Sequence, residues 1–215
     1  MNDYFLHALV TLFVTIDPPG LAPIFVVLTA GMSAGDRRLI AIRATVTAGL
    51  VLAGFVLFGE SLIGVLGITL PAFRIAGGLL LFTIAFEMVF ARRDARKTAT
   101  ARDAVGEAVA EKEDLRHLAV FPLAIPLISG PGAISATILL ASQASGPAVL
   151  AGLVVIIALL IAACLAVFLL AETIERILGE TGRLVVSRLL GVLLAALSVQ
   201  FVVDGITAIV RQQSG

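Results

Sequence analysis

The chain has few of the residues on which soluble enzymes and cross-linked proteins depend: one cysteine, two histidines, one tyrosine and no tryptophan in 215 residues. The lone Cys164 sits in an apolar run, which excludes an intrachain disulfide, a CxxC relay and a cysteine-rich metal site and leaves a small core residue. Charge is also scarce, at 14% of residues against about 25% in ordinary soluble domains. Fifteen basic and fifteen acidic residues cancel, so nothing electrostatic points to a nucleic-acid partner. No nucleophile–base pair or ligand cluster can be assembled within the apolar runs, so the sequence predicts neither an enzyme nor a cofactor or metal site. No Lys or Arg precedes the first apolar run and no small-residue cleavage pattern follows it, which predicts a retained helix and not a signal peptide.

What fills the chain is apolar: 60% of residues, with a mean hydropathy of +1.10. A membrane-spanning helix needs about 20 such residues. Six runs qualify, at residues 5–29, 42–66, 72–91, 118–142, 148–172 and 188–210, and a polar, mixed-charge linker at 92–116 separates the third from the fourth. That linker is too poor in large apolar residues to build a core, and a solvated loop with some helix is expected. All Lys and Arg except Arg74 and Arg211 fall on one side of a six-span layout. The positive-inside rule then puts the linker in the cytoplasm and both termini outside.

Two of the runs are interrupted, by Asp17-Pro18-Pro19-Gly20 and by Ser129-Gly130-Pro131-Gly132. Proline removes a backbone donor and drives the preceding residue out of helical geometry, so each tetrad should divide its span into half-helices. At 1.5 Å per residue both breaks lie about 17–18 Å into their spans, near the middle of a core about 30 Å thick. Backbone groups freed at that depth find partners only against protein or in a wet cavity.

The tetrads also reveal a repeat. A shift of 112 residues lays Ile16, Pro19 and Gly20 on Ile128, Pro131 and Gly132, and Glu60 on Glu172; two residues more lay Arg74 on Arg188 and Gly77 on Gly191. Three spans per copy is an odd number, so the second copy enters the membrane inverted. The expected fold is therefore an all-α membrane protein of six transmembrane helices, arranged as two inverted three-helix repeats with broken first helices. Residues 1–91 form repeat 1, residues 92–116 the linker and residues 117–215 repeat 2.

Asp17 and Ser129 suit the N-cap positions of the half-helices that follow, and the N–H groups of Gly20, Leu21, Gly132 and Ala133 would then face the break. Two positive helix ends at one midplane cavity make a site for a small anionic group such as an amino-acid carboxylate. Asp17 is the one ionisable residue expected at depth, suited to a substrate ammonium, a proton or Na⁺, or else only to capping its own helix. The candidate site is thus Asp17, Pro18, Pro19, Gly20, Ser129, Gly130, Pro131 and Gly132. Glu60 with Arg74, and Glu172 with Arg188, are candidate gates, although a solvated carboxylate at the interface accounts for either glutamate as well.

The stretches TLFVTIDPPGLAPIFVVLT, GITLPAFRIAGGLLLF and FPLAIPLISGPGAISATILL resemble the signature stretches of the MarC-related integral membrane proteins, also classed as a six-helix neutral amino acid transporter family. The resemblance covers nearly the whole chain and is weakest in the linker. It implies a multi-pass plasma-membrane protein and, from some members, transport of small neutral amino acids such as alanine and glycine. The partners expected are a small amino acid, a coupling H⁺ or Na⁺ and the lipid bilayer, with a homo-oligomer left open. A structural membrane component without transport and a metal-ion exporter remain as alternatives.

Overall fold

The computed structural model describes residues 2–93, 96–100, 103 and 119–213. Among them the fold is wholly helical: α1 (Asn2–Ile16), α2 (Pro18–Leu28), α3 (Ala34–Val65), α4 (Leu70–Val89), α5 (Val120–Ile128), α6 (Pro131–Ser142), α7 (Pro147–Leu169) and α8 (Ala171–Gln213). Five helical stretches are long and apolar enough to cross a membrane, and a sixth is made if α5 and α6, bent by 51° at their junction, count as one span.

Local chemistry sets the boundaries. Ser33 caps α3 by accepting from Asp36 N–H (3.2 Å) while its hydroxyl donates to the Asp36 carboxylate (2.7 Å). Gly67, at φ 72°, ends the turn after α3, where a side chain would be strained. Thr69 caps α4 and Pro71 occupies its first turn, where the missing donor is harmless.

The broken elements are innermost. Across the α1–α2 span, residues 3–28, 67% of the most apolar window is buried, against 28–39% for α3, α4, α7 and α8. Around this centre, α4 packs antiparallel on the last part of α8: Gly78 lies against Ser198 and Val202, Gly191 against Ala85 and Met88, and Gly205 against Pro71 and Ile75. On another side α3 packs on α7, with Gly49 against Ile161. Phe25 of α2 stacks on Phe168 of α7, ring centroids 4.6 Å apart. The outer faces carry exposed Leu50, Phe58, Val65, Leu159 and Leu189, an apolar surface that suits lipid and would be a liability in water.

Three expectations need correction. The fourth span is not one helix with a single interruption. Phe121 and Ile125 are extended, each ahead of a proline that excludes helical geometry from the residue before it, and both X-Pro bonds, Phe121-Pro122 and Ile125-Pro126, are cis. The sixth span is the end of a longer element: α8 begins at Ala171 and bends at Gly179 (φ 58°) before turning into the membrane run. The linker is not simply solvated either, since Arg93 and Lys97 are 5% and 6% exposed and reach into the core. Residues 94, 95, 101, 102 and 104–116 of that linker lie outside the described residues.

Candidate functional site

Asp17 forms the first break. Its backbone is left-handed (φ 59°, ψ 62°), unusual for a residue with a side chain, and it is 2% exposed. Its N–H still donates to Phe13 O (2.8 Å), so α1 is closed, while its carboxylate accepts from Gly20 N–H (3.3 Å) and caps α2. A Cβ at Gly20 would overlap that carboxylate, so glycine there is a condition of the cap. Pro18 and Pro19 fill the first turn of α2.

The second break is built differently. Ser129 is 1% exposed, but it does not cap α6. Its hydroxyl donates across to Ala48 O in α3 (3.1 Å), and its N–H donates five residues back to Ala124 O (2.9 Å). Gly130 is the N-cap instead, and no side chain caps α6. Pro131 opens the helix, and a Cβ on Gly132 would overlap Ile84 and crowd Thr15 of α1. The expected pair of free helix ends is therefore reduced to one: α2 is capped by its own aspartate and α6 is open.

Two linker side chains, absent from the candidate site drawn from the sequence, complete the centre. Lys97 Nζ lies 3.4 Å from Asp17 Oδ2, an ion pair with both side chains at least nine-tenths buried. Arg93 donates to Thr15 O (2.6 Å) and to Met88 Sδ (3.0 Å). Their spacing was the available signal: residues four apart, directly after an apolar span, share one helical face.

A cavity of about 280 Å³ lies here, lined by Gly130, Pro131, Gly132 and Ala133 from the second break, by Thr15 beside the first, and by Arg93, Arg96, Lys97 and Thr100 of the linker. It falls just below the about 300–1,000 Å³ usual for drug-sized ligands and suits something smaller. Asp17 and Gly20 do not line it, while Lys97, the partner of Asp17, does.

Two further hollows sit at opposite ends of α3. One, about 200 Å³, is lined by Ala34, Arg37 and Arg38 at the start of α3, by Phe168 and Leu169 at the end of α7, and by Glu172 and Thr173. The other, about 420 Å³, is lined by Val56, Leu57, Glu60 and Ser61 near the end of α3 and by Gly146 and Leu150 at the start of α7. The 112-residue shift carries Val56, Leu57, Glu60 and Ser61 onto Phe168, Leu169, Glu172 and Thr173, and Ala34 and Arg38 onto Gly146 and Leu150. Gly49 and Ile161, placed so that a Cβ on Gly49 would meet the Ile161 side chain at 3.6 Å, are separated by the same 112 residues.

The expected gate pairs do not form among the described residues. Glu172 bonds to Arg37 instead, because Arg188 is 16 residues further along a bent helix, about 24 Å of rise. That guanidinium, by hydrogen bond and by charge, holds the Glu172 carboxyl below the usual carboxylate range. Glu60 is exposed at its hollow, while Arg74 is half-buried with its Nε unpartnered. No three His, Cys, Asp or Glu side chains converge among the described residues.

No solved structure matches the chain. Curated relatives cover it almost end to end. A UPF0056 membrane protein of Archaeoglobus fulgidus is 38% identical over 205 residues, 95% of this chain and 92% of that one. One of Methanocaldococcus jannaschii is 39% identical over 209 residues, 96% and 88% of the two chains, and one of Escherichia coli is 34% identical over 204 residues, 92% and 89%. Residues 2–210 match the family described as MarC family integral membrane protein, and with that span, those relatives and a helical fold able to cross the bilayer five or six times, this chain belongs to the MarC family.

Proposed function

We propose that this protein is a transporter, not an enzyme, of small neutral amino acids or similarly small solutes, and that it works by alternating access around the two broken spans at the centre of an inverted repeat. The observation that carries the reading is the pair of hollows at opposite ends of α3, lined by residues that the 112-residue shift exchanges. A pseudo-two-fold axis in the membrane plane would relate such hollows as the inner and outer approaches to one central site, and it would also bring repeat mates such as Gly49 and Ile161 face to face near the axis. Between the approaches lie the breaks and the cavity at Gly130–Ala133, buried among protein as irregular backbone at depth must be.

On this reading the chain resides in the plasma membrane with the linker cytoplasmic and both termini outside, following the distribution of Lys and Arg. The Arg37–Glu172 ion pair lies at the cytoplasmic hollow and holds the starts of α3 and α8 together. Its outer counterpart differs: the shift puts Val149 where Arg37 stands, so Glu60 has no matching cation. The inner approach is thus latched by charge and the outer one is not. Asp17 and Lys97 are the groups placed to couple H⁺ or Na⁺, since an ion that neutralises the carboxylate releases the lysine.

Counterflow tests the reading. Purified protein in liposomes preloaded with unlabelled L-alanine should accumulate labelled L-alanine from outside, and Gly132→Val, whose side chain presses on Ile84 and Thr15 of the cavity lining, should remove most of that uptake. Uptake equal to that of protein-free liposomes, for alanine, glycine and serine alike, would reject it.

A further inference from the structure

Three buried threonines satisfy their hydroxyls in the ordinary way of a helix: Thr15, Thr29 and Thr45 donate to the carbonyl four residues back, at 2.6, 2.7 and 2.8 Å. Thr11 and Thr137 do not. Both are wholly buried, and Thr11 Oγ1 and Thr137 Oγ1 have no hydrogen-bond partner among the described residues. The corresponding carbonyls, His7 O and Ala133 O, go unused by these hydroxyls, and a buried hydroxyl without a partner is costly enough to require a reason. The two lie along one seam. Helices α1 and α6 run antiparallel and meet at two places: Tyr4 Oη donates to Leu140 O (2.8 Å), and a Cβ on Gly132 would come within 3.3 Å of Thr15 Cγ2. Residues 4, 8, 11 and 15 form one stripe of α1, so Thr11 and the wholly buried Ala8 face α6. Ala136, also wholly buried, and Thr137 lie midway between Gly132 and Leu140 on α6. At one end of the seam Thr15 and Gly132 line the central cavity; at the other Ala141, next to Leu140, lines the hollow at Glu60. From Gly132 to Leu140 the rise is about 12 Å.

We propose that the α1–α6 seam is the limb of the solute path joining the central cavity to the hollow at Glu60, and that Thr11 and Thr137 bind the passing solute by hydrogen bonds. A hydroxyl offers one donor and two acceptors, so the pair serves the ammonium and the carboxylate of a small amino acid alike. A hydroxyl bonded to its own helix must give up that bond to meet a solute; Thr11 and Thr137 have none to give up. Ala8, Gly132 and Ala136 as neighbours restrict the solute to a small side chain. The inference deepens the transporter reading and rests on it for flux, whereas the polarity of the seam is measured separately.

Isosteric replacement tests the hydroxyls. Thr11→Val combined with Thr137→Val should melt at or above the temperature of the unaltered protein, since no hydrogen bond is lost, while its L-alanine counterflow in liposomes should fall about tenfold. Thr11→Ser combined with Thr137→Ser should keep most of the flux. Water in the seam is read without flux. In a Cys164→Ser background, Thr137→Cys should react with Ag⁺, which takes thiolates and travels in water, about tenfold faster than Cys164 of the unaltered protein, a thiol equally buried but set in α7. The thiol left for a fluorescent maleimide after denaturation gives both rates. Full counterflow in the Thr→Val pair, a melting temperature lowered by it, or a Thr137→Cys thiol as inert as Cys164 would overturn the seam. A reactive Thr137→Cys thiol with no counterflow by the unaltered protein rejects the transporter reading and leaves the polar seam; counterflow with an inert thiol and an unimpaired Thr→Val pair does the reverse.

Discussion

The Asp17 carboxylate performs two tasks at 2% exposure, capping α2 and balancing Lys97, and each makes a separate prediction. Lys97→Met alone leaves a buried carboxylate uncompensated and should destabilise by about 3–5 kcal/mol. Asp17→Asn combined with Lys97→Met should recover much of that loss, and thermal unfolding of the four proteins of the cycle measures the coupling. Gly20→Ala should cost at least the cap, about 1 kcal/mol, because its methyl group displaces the carboxylate. Gly54→Ala, in the interior of α3 with open space around it, should instead gain about 0.5–1 kcal/mol. Asp17 was legible in the sequence as a buried acid beside two prolines, since a carboxylate alone in an apolar run is too costly to keep without a partner or a task. Lys97 was legible only through its four-residue spacing from Arg93 directly after an apolar span; inside a charged linker nothing else marks it for burial.

At the level of the helices, prolines were reliable guides to where regular structure stops, and spacing was a weaker guide to what replaces it. The Asp17 break divides α1 from α2 as the Asp-Pro-Pro-Gly motif predicts, and Gly130-Pro131 opens α6. Pro122 and Pro126, four residues apart, convert the preceding half-span into the irregular α5, a consequence the hydropathy of that run conceals. The amphipathic start of α8 escaped detection for a related reason: Glu172, Glu175 and Arg176 break the apolar run without ending the helix. This stretch is tied to α3 by the solvent-exposed Arg37–Glu172 pair. Because Arg37 lowers the Glu172 pKa in the folded protein, the pair stabilises above the ordinary carboxylate range and its contribution is lost as pH falls through the lowered value. Glu172→Gln should therefore lower the melting temperature slightly at neutral pH, and the difference from the unaltered protein should vanish in strongly acidic buffer. High salt should shrink it at any pH, since the pair is exposed.

For the whole molecule, the proposed inverted repeat is supported by three features of the fold. Hollows whose linings exchange under one shift, the facing of Gly49 and Ile161, and α4 packed antiparallel on α8 are arrangements that a two-fold axis in the membrane plane would generate. Charge departs from that symmetry: Asp17 against Ser129, a capped α2 against an open α6, and Arg37 against Val149. On the transporter reading, such differences would give the two approaches unequal chemistry around a shared frame. In a protein carrying Cys164→Ser, Ser61→Cys reports on the hollow at Glu60 and Thr173→Cys on the hollow at Glu172, the outer and inner approaches of the proposed transporter. The direct measurement is the rate at which a membrane-impermeant maleimide labels each cysteine, from its own side of the bilayer, with and without saturating L-alanine. Alternating access predicts that L-alanine changes the two rates in opposite directions; rates that stay fixed, or rise and fall together, would contradict it.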